Sequence, residues 1–296
     1  MKDINFIITV IPTFFTIDNL VNINDMILHI GNQYSLGIRF IIILGTTSEA
    51  SVLSKDEKIN IAKNIWNIFS NKITIFIGIG GTCTEYILDE ANSMSDYCNG
   101  FLLSAPYYNK PTQNGLYKHF DYIIKNLKYN NINDNKFIIY NIPSRCSINI
   151  EPETILKIYE DNKDKIIGIK ESSGNISQVI KLKSICDINI ISGDDELIIP
   201  LMSIGAKGII SVISNIYPEE IIKLVNFFKN GDIINSNKIF YKLLPYIKGC
   251  FIETNPVPIK YLLNKKYGFN KSVRLPLVCI EDKNSLYLDN LLEKKY

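Results

Sequence analysis

Lys170 stands at the end of an apolar, β-branched run, Ile166-Ile167-Gly168-Ile169-Lys170-Glu171. Side chains of a strand alternate between its two faces, so Ile166, Gly168 and Lys170 share one of them. If that face is interior, burial disfavours the ammonium, and a neutral amine can add to a carbonyl carbon to form a Schiff base. Gly168, two residues earlier, would leave room for the lysine stem and a substrate. Taken alone, a lysine at a strand end is ordinarily a snorkelling surface group; its neighbours make the chemical reading stronger. Tyr140 closes the preceding apolar run and could carry protons to and from the departing oxygen, with Thr46 and Tyr108 extending a hydroxyl chain. In a chain with 17 tyrosines, core packing with a satisfied hydroxyl is the plainer role for any single one. Arg145 follows a turn containing Pro143, and its fork of donors suits a carboxylate; the ordinary alternative is a surface ion pair.

Other chemistries find less support. Gly78-Ile79-Gly80-Gly81 imitates the start of a dinucleotide loop, but Cys83 occupies the sixth position and no acidic residue stands at the expected strand end. Asp194 and Asp195 are adjacent, so in a strand they point oppositely and do not make a metal pair. Two histidines, His29 and His119, and six scattered cysteines without a C-x-x-C pair give no zinc spacing and read as free thiols in a reducing cytosol. The net charge of +2 is spread without a basic block, which recommends neither nucleic acid nor an anionic membrane as partner. The apolar stretch Ile4 to Phe15 lacks a basic leader and a small-residue cleavage site and contains Pro12, so it reads as a first strand and not as a signal peptide or membrane span.

The elements that would position these residues recur along the chain. Eight short apolar runs are visible: 6–10, 40–46, 73–80, 100–105, 137–141, 166–171, 188–193 and 208–213. Each is followed by a longer segment with helical spacing, and the runs are continuous in apolar residues, as strands covered on both faces should be. Ser54-x-x-Glu57 reads as a capping box and Asn175-x-x-Gln178 as a similar device, while Pro152 and Pro218 sit where first-turn prolines belong. Even alternation favours a closed (β/α)8 TIM barrel over an open doubly wound sheet. The expected organisation is a catalytic α/β barrel over residues 1–230, with 231–296 as a C-terminal helical extension packed on it. Helical patterns at 233–248 and 257–267 mark that extension. Lys170, Tyr140, Arg145, Tyr108 and Thr46 all follow or close runs on what would be the C-terminal rim, where such barrels keep their chemistry.

With those motifs in place the chain resembles the dihydrodipicolinate synthases, within the superfamily that includes N-acetylneuraminate lyase. The resemblance runs from the first strand to Arg274-Leu275-Pro276. It is carried by Pro106-Tyr107-Tyr108-Asn109-Lys110-Pro111-Thr112-Gln113-x-Gly115-Leu116-Tyr117, by Gly168-Ile169-Lys170-Glu171, and by Asn255-Pro256-Val257-Pro258-Ile259-Lys260. It implies that pyruvate condenses on Lys170, becomes an enamine and attacks L-aspartate 4-semialdehyde, without metal or organic cofactor, in a cytoplasmic tetramer of tight dimers. Thr46, Tyr108 and Tyr140 then match the family's proton-relay positions, with Tyr108 reaching in from a neighbouring subunit. Thr47, Gly193 and Ile210 match positions that hold the pyruvate carboxylate and the imine region, and Arg145 matches the residue that binds the aldehyde's carboxylate.

Arg145 and Thr46 favour the synthase over a sialic acid lyase; a 2-keto-3-deoxy sugar acid aldolase using the same lysine is the other enzymatic alternative, separated by assaying cleavage of such sugars. Retention of Lys170, Tyr140, Thr46 and Tyr108 together speaks against a non-catalytic scaffold. Two departures bear on rate and aldehyde choice. Ser48 replaces a usual glycine and would restrict backbone freedom, and Cys146-Ser147 replaces a more usual Thr-Gly or Thr-Val beside Arg145. At the family's lysine-feedback positions stand Ala50, Lys55, Lys58, Thr82 and Tyr86, which predict weak or absent inhibition, because two lysines repel a cationic effector and Tyr86 removes a carboxylate.

Overall fold

The structure, a computed structural model, describes residues 6–128 and 135–293. Ile4 and Asn5, at the start of the expected first strand, lie outside the described residues. Eight parallel strands close into a barrel in chain order. They are β1 (Phe6–Val10), β2 (Phe40–Ile43), β3 (Thr74–Ile79), β4 (Gly100–Ser104), β5 (Lys136–Asn141), β6 (Ile166–Glu171), β7 (Ile190–Ser192) and β8 (Gly208–Ser211). Closure is direct, with Ile8 opposite Phe40 of β2 on one side and opposite Ile210 of β8 on the other. No sheet edge is left, and nearly every strand residue is buried, which explains why the runs read as continuous rather than alternating.

Helices lie between the strands, four of them beginning where the sequence places start signals. The helices are α1 (Ile23–Ser35), α2 (Lys55–Phe69), α3 (Thr84–Met94), α4 (Gln113–Asn126), the short α5 (Pro143–Cys146), α6 (Pro152–Asp161), α7 (Ile176–Ile185), α8 (Ile198–Ser203) and α9 (Pro218–Lys229). Ser54 and Glu57 form both halves of a capping box at α2. Asn175 caps α7 by accepting from the Gln178 amide, but the Gln178 side chain turns away to Asn149 and Glu171, so the reciprocal half is absent. Pro152 and Pro218 occupy first-turn positions. Then come α10 (Ile233–Gly249), α11 (Val257–Tyr267) and α12 (Asp282–Glu293). Their buried residues, among them Leu243, Ile259, Leu263 and Leu288, join the same continuous apolar core as the strands. No helix among the described residues is long and apolar enough to cross a membrane.

The second, seventh and eighth strands are shorter than the sequence expectation, the eighth ending at Ser211 and not at Ile213. The second run was expected to continue to Thr46 but stops at Ile43, because Leu44 takes a left-handed conformation, φ 57°, and Thr46–Ser48 wind into a 3-10 turn. The seventh covers only Ile190–Ser192. Gly78 and Gly80 serve strand packing. A methyl on Gly78 would stand 2.7 Å from Gly45 Cα, and one on Gly80 would stand 2.0 Å from Ser104 Oγ.

Candidate active site

Lys170 and Tyr140 are paired across β6 and β5, and Ser104 is paired with Tyr140 across β4 and β5. Register therefore brings the amine and the phenol together, and Lys170 Nζ lies 4.3 Å from the centroid of the Tyr140 ring. Both side chains are buried, each 7% exposed. The space for the lysine stem comes from Gly193, just after β7, and not from Gly168. A methyl on Gly193 would stand 2.7 Å from Lys170 Cε and 2.8 Å from its Cγ. A methyl on Gly168 would instead meet the Asn189 carbonyl oxygen at 2.8 Å, so that glycine admits the neighbouring strand. Ser172 Oγ crowds the same corner, 2.0 Å from the Gly193 methyl position, and has no hydrogen-bond partner among the described residues. Ile210 is buried in β8 beside β1.

Thr46 and Thr47 sit on the turn that ends β2. That turn is bracketed by left-handed residues, Leu44 and Glu49 at φ 55°, and such backbone persists only when its surroundings hold it. Four ties do so. Ser48 Oγ donates to the Ile11 carbonyl at 2.5 Å. Thr47 Oγ1 accepts from Asn255 Nδ2 at 2.8 Å, which leaves the threonine hydroxyl proton free for another acceptor. Glu49 accepts from Lys260 Nζ at 2.7 Å and from the Arg274 amide at 2.9 Å. Ser48 has no positive φ, so its place in the turn requires no glycine, and its hydroxyl fastens the turn to the end of β1. Burial pushes the Lys260 ammonium below its usual range, and the Glu49 carboxylate opposes that.

Arg145 lies on α5, an excursion between β5 and α6, and donates from Nη2 to the Asn255 carbonyl at 3.2 Å. Asn255, on the segment leading into α11, thus touches both Thr47 and Arg145. The sequence motif contains Asn255 but assigns it no role, because its partners are more than a hundred residues away. Cys146 is buried, donates from Sγ to the Ala105 carbonyl at 3.2 Å, and has its thiol pushed up to about 11 by burial. Asp194 accepts from the Glu196 amide, while Asp195 faces Ser211, Val212 and Ile213, so the two carboxylates do point apart.

A cavity of about 610 Å³ opens over this rim, with Thr46, Tyr140, Arg145, Cys146 and Asn255 in its wall. Lys170, Thr47, Gly193 and Ile210 are not in that wall; Lys170, Thr47 and Ile210 are buried and Gly193 is half-buried. Tyr107 lines the cavity, whereas Tyr108 points away from it, 85% exposed on a left-handed turn of φ 70°. Farther along the same cavity are Ala50, Lys58, Thr82 and Tyr86. Lys58 is paired with Glu90 at 3.0 Å and Lys55 with Asp89. The repulsion expected from those two lysines is therefore largely neutralised.

The family model of the dihydrodipicolinate synthetases matches residues 3–295. The chain belongs to that family. Among its relatives, the 4-hydroxy-tetrahydrodipicolinate synthase of Endomicrobium trichonymphae is 42% identical over 268 residues, 89% of each chain. The synthase of Methanocaldococcus jannaschii is 36% identical over 258 residues, 87% of each. The crystal structure of dihydrodipicolinate synthase from Thermotoga maritima superimposes with a TM-score of 0.91 at 31% identity, covering 97% of both chains. The eight-stranded barrel with its C-terminal helices is the architecture of the dihydrodipicolinate synthetase family, as the resemblance implied. A family barrel with a buried lysine against a buried tyrosine on its rim can hold a carbonyl substrate out of bulk water and exchange protons with it.

Proposed function

We propose that this chain is a Schiff-base-forming lyase that condenses pyruvate with L-aspartate 4-semialdehyde to give 4-hydroxy-tetrahydrodipicolinate, a step of diaminopimelate and lysine biosynthesis. The Lys170 amine adds to the keto carbon of pyruvate, water leaves, and an imine forms. Loss of a methyl proton gives the enamine, whose carbon attacks the aldehyde, and the aldehyde oxygen becomes a hydroxyl. The substrate's own amino group then adds to the imine carbon, expels Lys170 and closes the ring. Tyr140, with Thr46 and Tyr108, moves the protons that these additions and eliminations require. The free Thr47 hydroxyl proton serves the pyruvate carboxylate, beside the Gly193 and Ile210 backbone, and Arg145 takes the aldehyde substrate's carboxylate.

Tyr108 is held outward by a left-handed turn, and this favours its donation to a neighbouring subunit's site within a homotetramer of tight dimers. Six free cysteines agree with a cytoplasmic setting.

The observation that carries the reading is the buried Lys170 amine against the Tyr140 ring, in a chain of this family. Mass spectrometry after incubation with pyruvate and borohydride tests it. Wild type gains the mass of a reduced pyruvate adduct, Lys170→Ala gains none, and wild type consumes pyruvate only when L-aspartate 4-semialdehyde is supplied. An adduct without that turnover would move the second substrate to sugar acids. No adduct would remove the lysine chemistry altogether.

A further inference from the structure

Glu171, the residue after the reactive lysine, is buried with its carboxylate turned to the opposite side of β6, and the mechanism makes no use of it. Among the described residues, the hydrogen bonds to its carboxylate come from neutral groups. The Ser173 amide donates to Oε1 at 2.7 Å, Asn141 Nδ2 donates to Oε2 at 3.1 Å, and Gln178 Nε2 reaches Oε2 at 3.5 Å. Asn141 Nδ2 also donates to Asn149 Oδ1 at 3.0 Å, and Asn149 Nδ2 donates to Gln178 Oε1 at 2.7 Å. The Ile150 amide donates to Asn141 Oδ1 at 3.1 Å. Asn141 and Asn149 are the two ends of the excursion that carries Arg145, so this one network closes that excursion at its base. Gln113 adds an outside tie, donating to the Asn149 carbonyl at 2.9 Å and accepting from the Glu151 amide at 3.1 Å.

A buried carboxylate is costly unless hydrogen bonds compensate it, and here it holds the Asn141 amide directly and the Asn149 amide at one remove, through Asn141 and Gln178. Arg145 itself has a single side-chain hydrogen bond among the described residues, to Asn255, and sits on an exposed surface of that segment. Its guanidinium is therefore aimed mainly by where the segment is held. We infer that Glu171 is a positioning residue that, through Asn141 and Asn149, sets Arg145 for the second substrate's carboxylate. The chemistry at Lys170 and the recognition of the aldehyde are thus tied to the two faces of one strand end. This rests on the role given to Arg145 above.

The test compares steady-state kinetics of Glu171→Gln, Asn149→Ala, Arg145→Ala and the double variant Arg145→Ala/Glu171→Gln. The amide in Glu171→Gln sets a donor against the Ser173 and Asn141 donors, and Asn149→Ala cuts the brace at a partly exposed residue. KM for L-aspartate 4-semialdehyde should rise about tenfold in Glu171→Gln and by less in Asn149→Ala, with pyruvate KM and the borohydride-trapped adduct unchanged. In the Arg145→Ala background, Glu171→Gln should add no further rise, because the residue it positions is gone. A parallel rise in pyruvate KM would overturn the inference, as would a full additional increment in the double variant. If Arg145→Ala raises the aldehyde KM and the brace variants do not, the inference alone fails. If Arg145→Ala leaves that KM unchanged, the role of Arg145 fails and the brace with it.

Discussion

A methyl group on Gly193 would stand 2.7 Å from Lys170 Cε, closer than any relaxed carbon contact, and it would also press on Ser172 Oγ. No residue with a β-carbon fits there unless the lysine stem leaves its path along Tyr140. The backbone at Gly193 is not in the left-handed region, so the demand is for space and not for conformational freedom. Gly193→Ala should therefore leave the barrel folded and strike the chemistry. We expect the pyruvate adduct trapped by borohydride to fall at least about tenfold at fixed time, since small misplacements of a nucleophile cost large factors in rate, with far-ultraviolet circular dichroism unchanged. Gly168→Ala offers the contrast. Its methyl meets the Asn189 carbonyl and Ile191, so it should lower stability while the adduct still forms. Equal trapping in Gly193→Ala and wild type would mean that the stem has another route.

At the scale of elements, the turn after β2 is held by a part of the chain far away in sequence. Lys260 and Glu49 are 211 residues apart, bond at 2.7 Å and are both fully buried, and Arg274 adds its amide to the same carboxylate and forks its guanidinium onto Glu57 at the start of α2. Removing one partner of a buried pair strands the other charge, so Lys260→Met should cost about 3–5 kcal/mol in urea unfolding. A double variant that also makes Glu49 apolar should recover most of that stability but not the activity, because Thr46 and Thr47 ride on the turn. Recovery of both would show that the pair does not position the turn. We therefore regard residues 231–296 as part of the catalytic unit, since they supply Asn255, Lys260 and Arg274 to it. This is also where sequence reasoning stops. The strands, the Ser54 capping box and the Lys170–Tyr140 pair were legible because each depends on local pattern or on register between neighbouring runs. The end of β2 was not, because Leu44 adopts a conformation that its residue type disfavours and that only tertiary contacts sustain. Nor were the contacts of Glu49 and Asn255, whose partners come from distant segments, although Asn255 stands inside one of the motifs that carry the resemblance. Gly168 was given a task that Gly193 performs, since spacing along one strand cannot reveal which neighbour fills the gap.

At the scale of the whole molecule, the buried side chains His29, His119 and Asp195 have shifts that meet in the acid range and oppose one another. Burial lowers His29 and His119 from 6.5 to about 4, with Asn215 partly opposing it at His29. Burial raises Asp195 from 3.8 to about 6, against the Ser211 hydroxyl and the Val212 and Ile213 amides. Each histidine stays neutral in the folded chain while the unfolded chain protonates it, so stability is lost as pH falls from 6.5 towards 4. Asp195 acts in the other sense, because its folded form keeps a proton that the unfolded form has released, and its contribution is lost as pH rises from 3.8 through 6. Between pH 4 and 6 the unfolded chain binds two protons at the histidines and the folded chain binds one at Asp195. The net of one proton makes stability rise with pH by about 1.4 kcal/mol per unit from these groups. Urea unfolding at steps across that range reads the slope directly. His119→Gln, which removes one histidine, should flatten it towards zero, and Asp195→Asn should steepen it towards two protons, whatever either substitution does to absolute stability. An unchanged slope in His119→Gln would mean that the ring is also protonated within the fold, with its Nδ1–H donating to Thr84 Oγ1 at 2.8 Å.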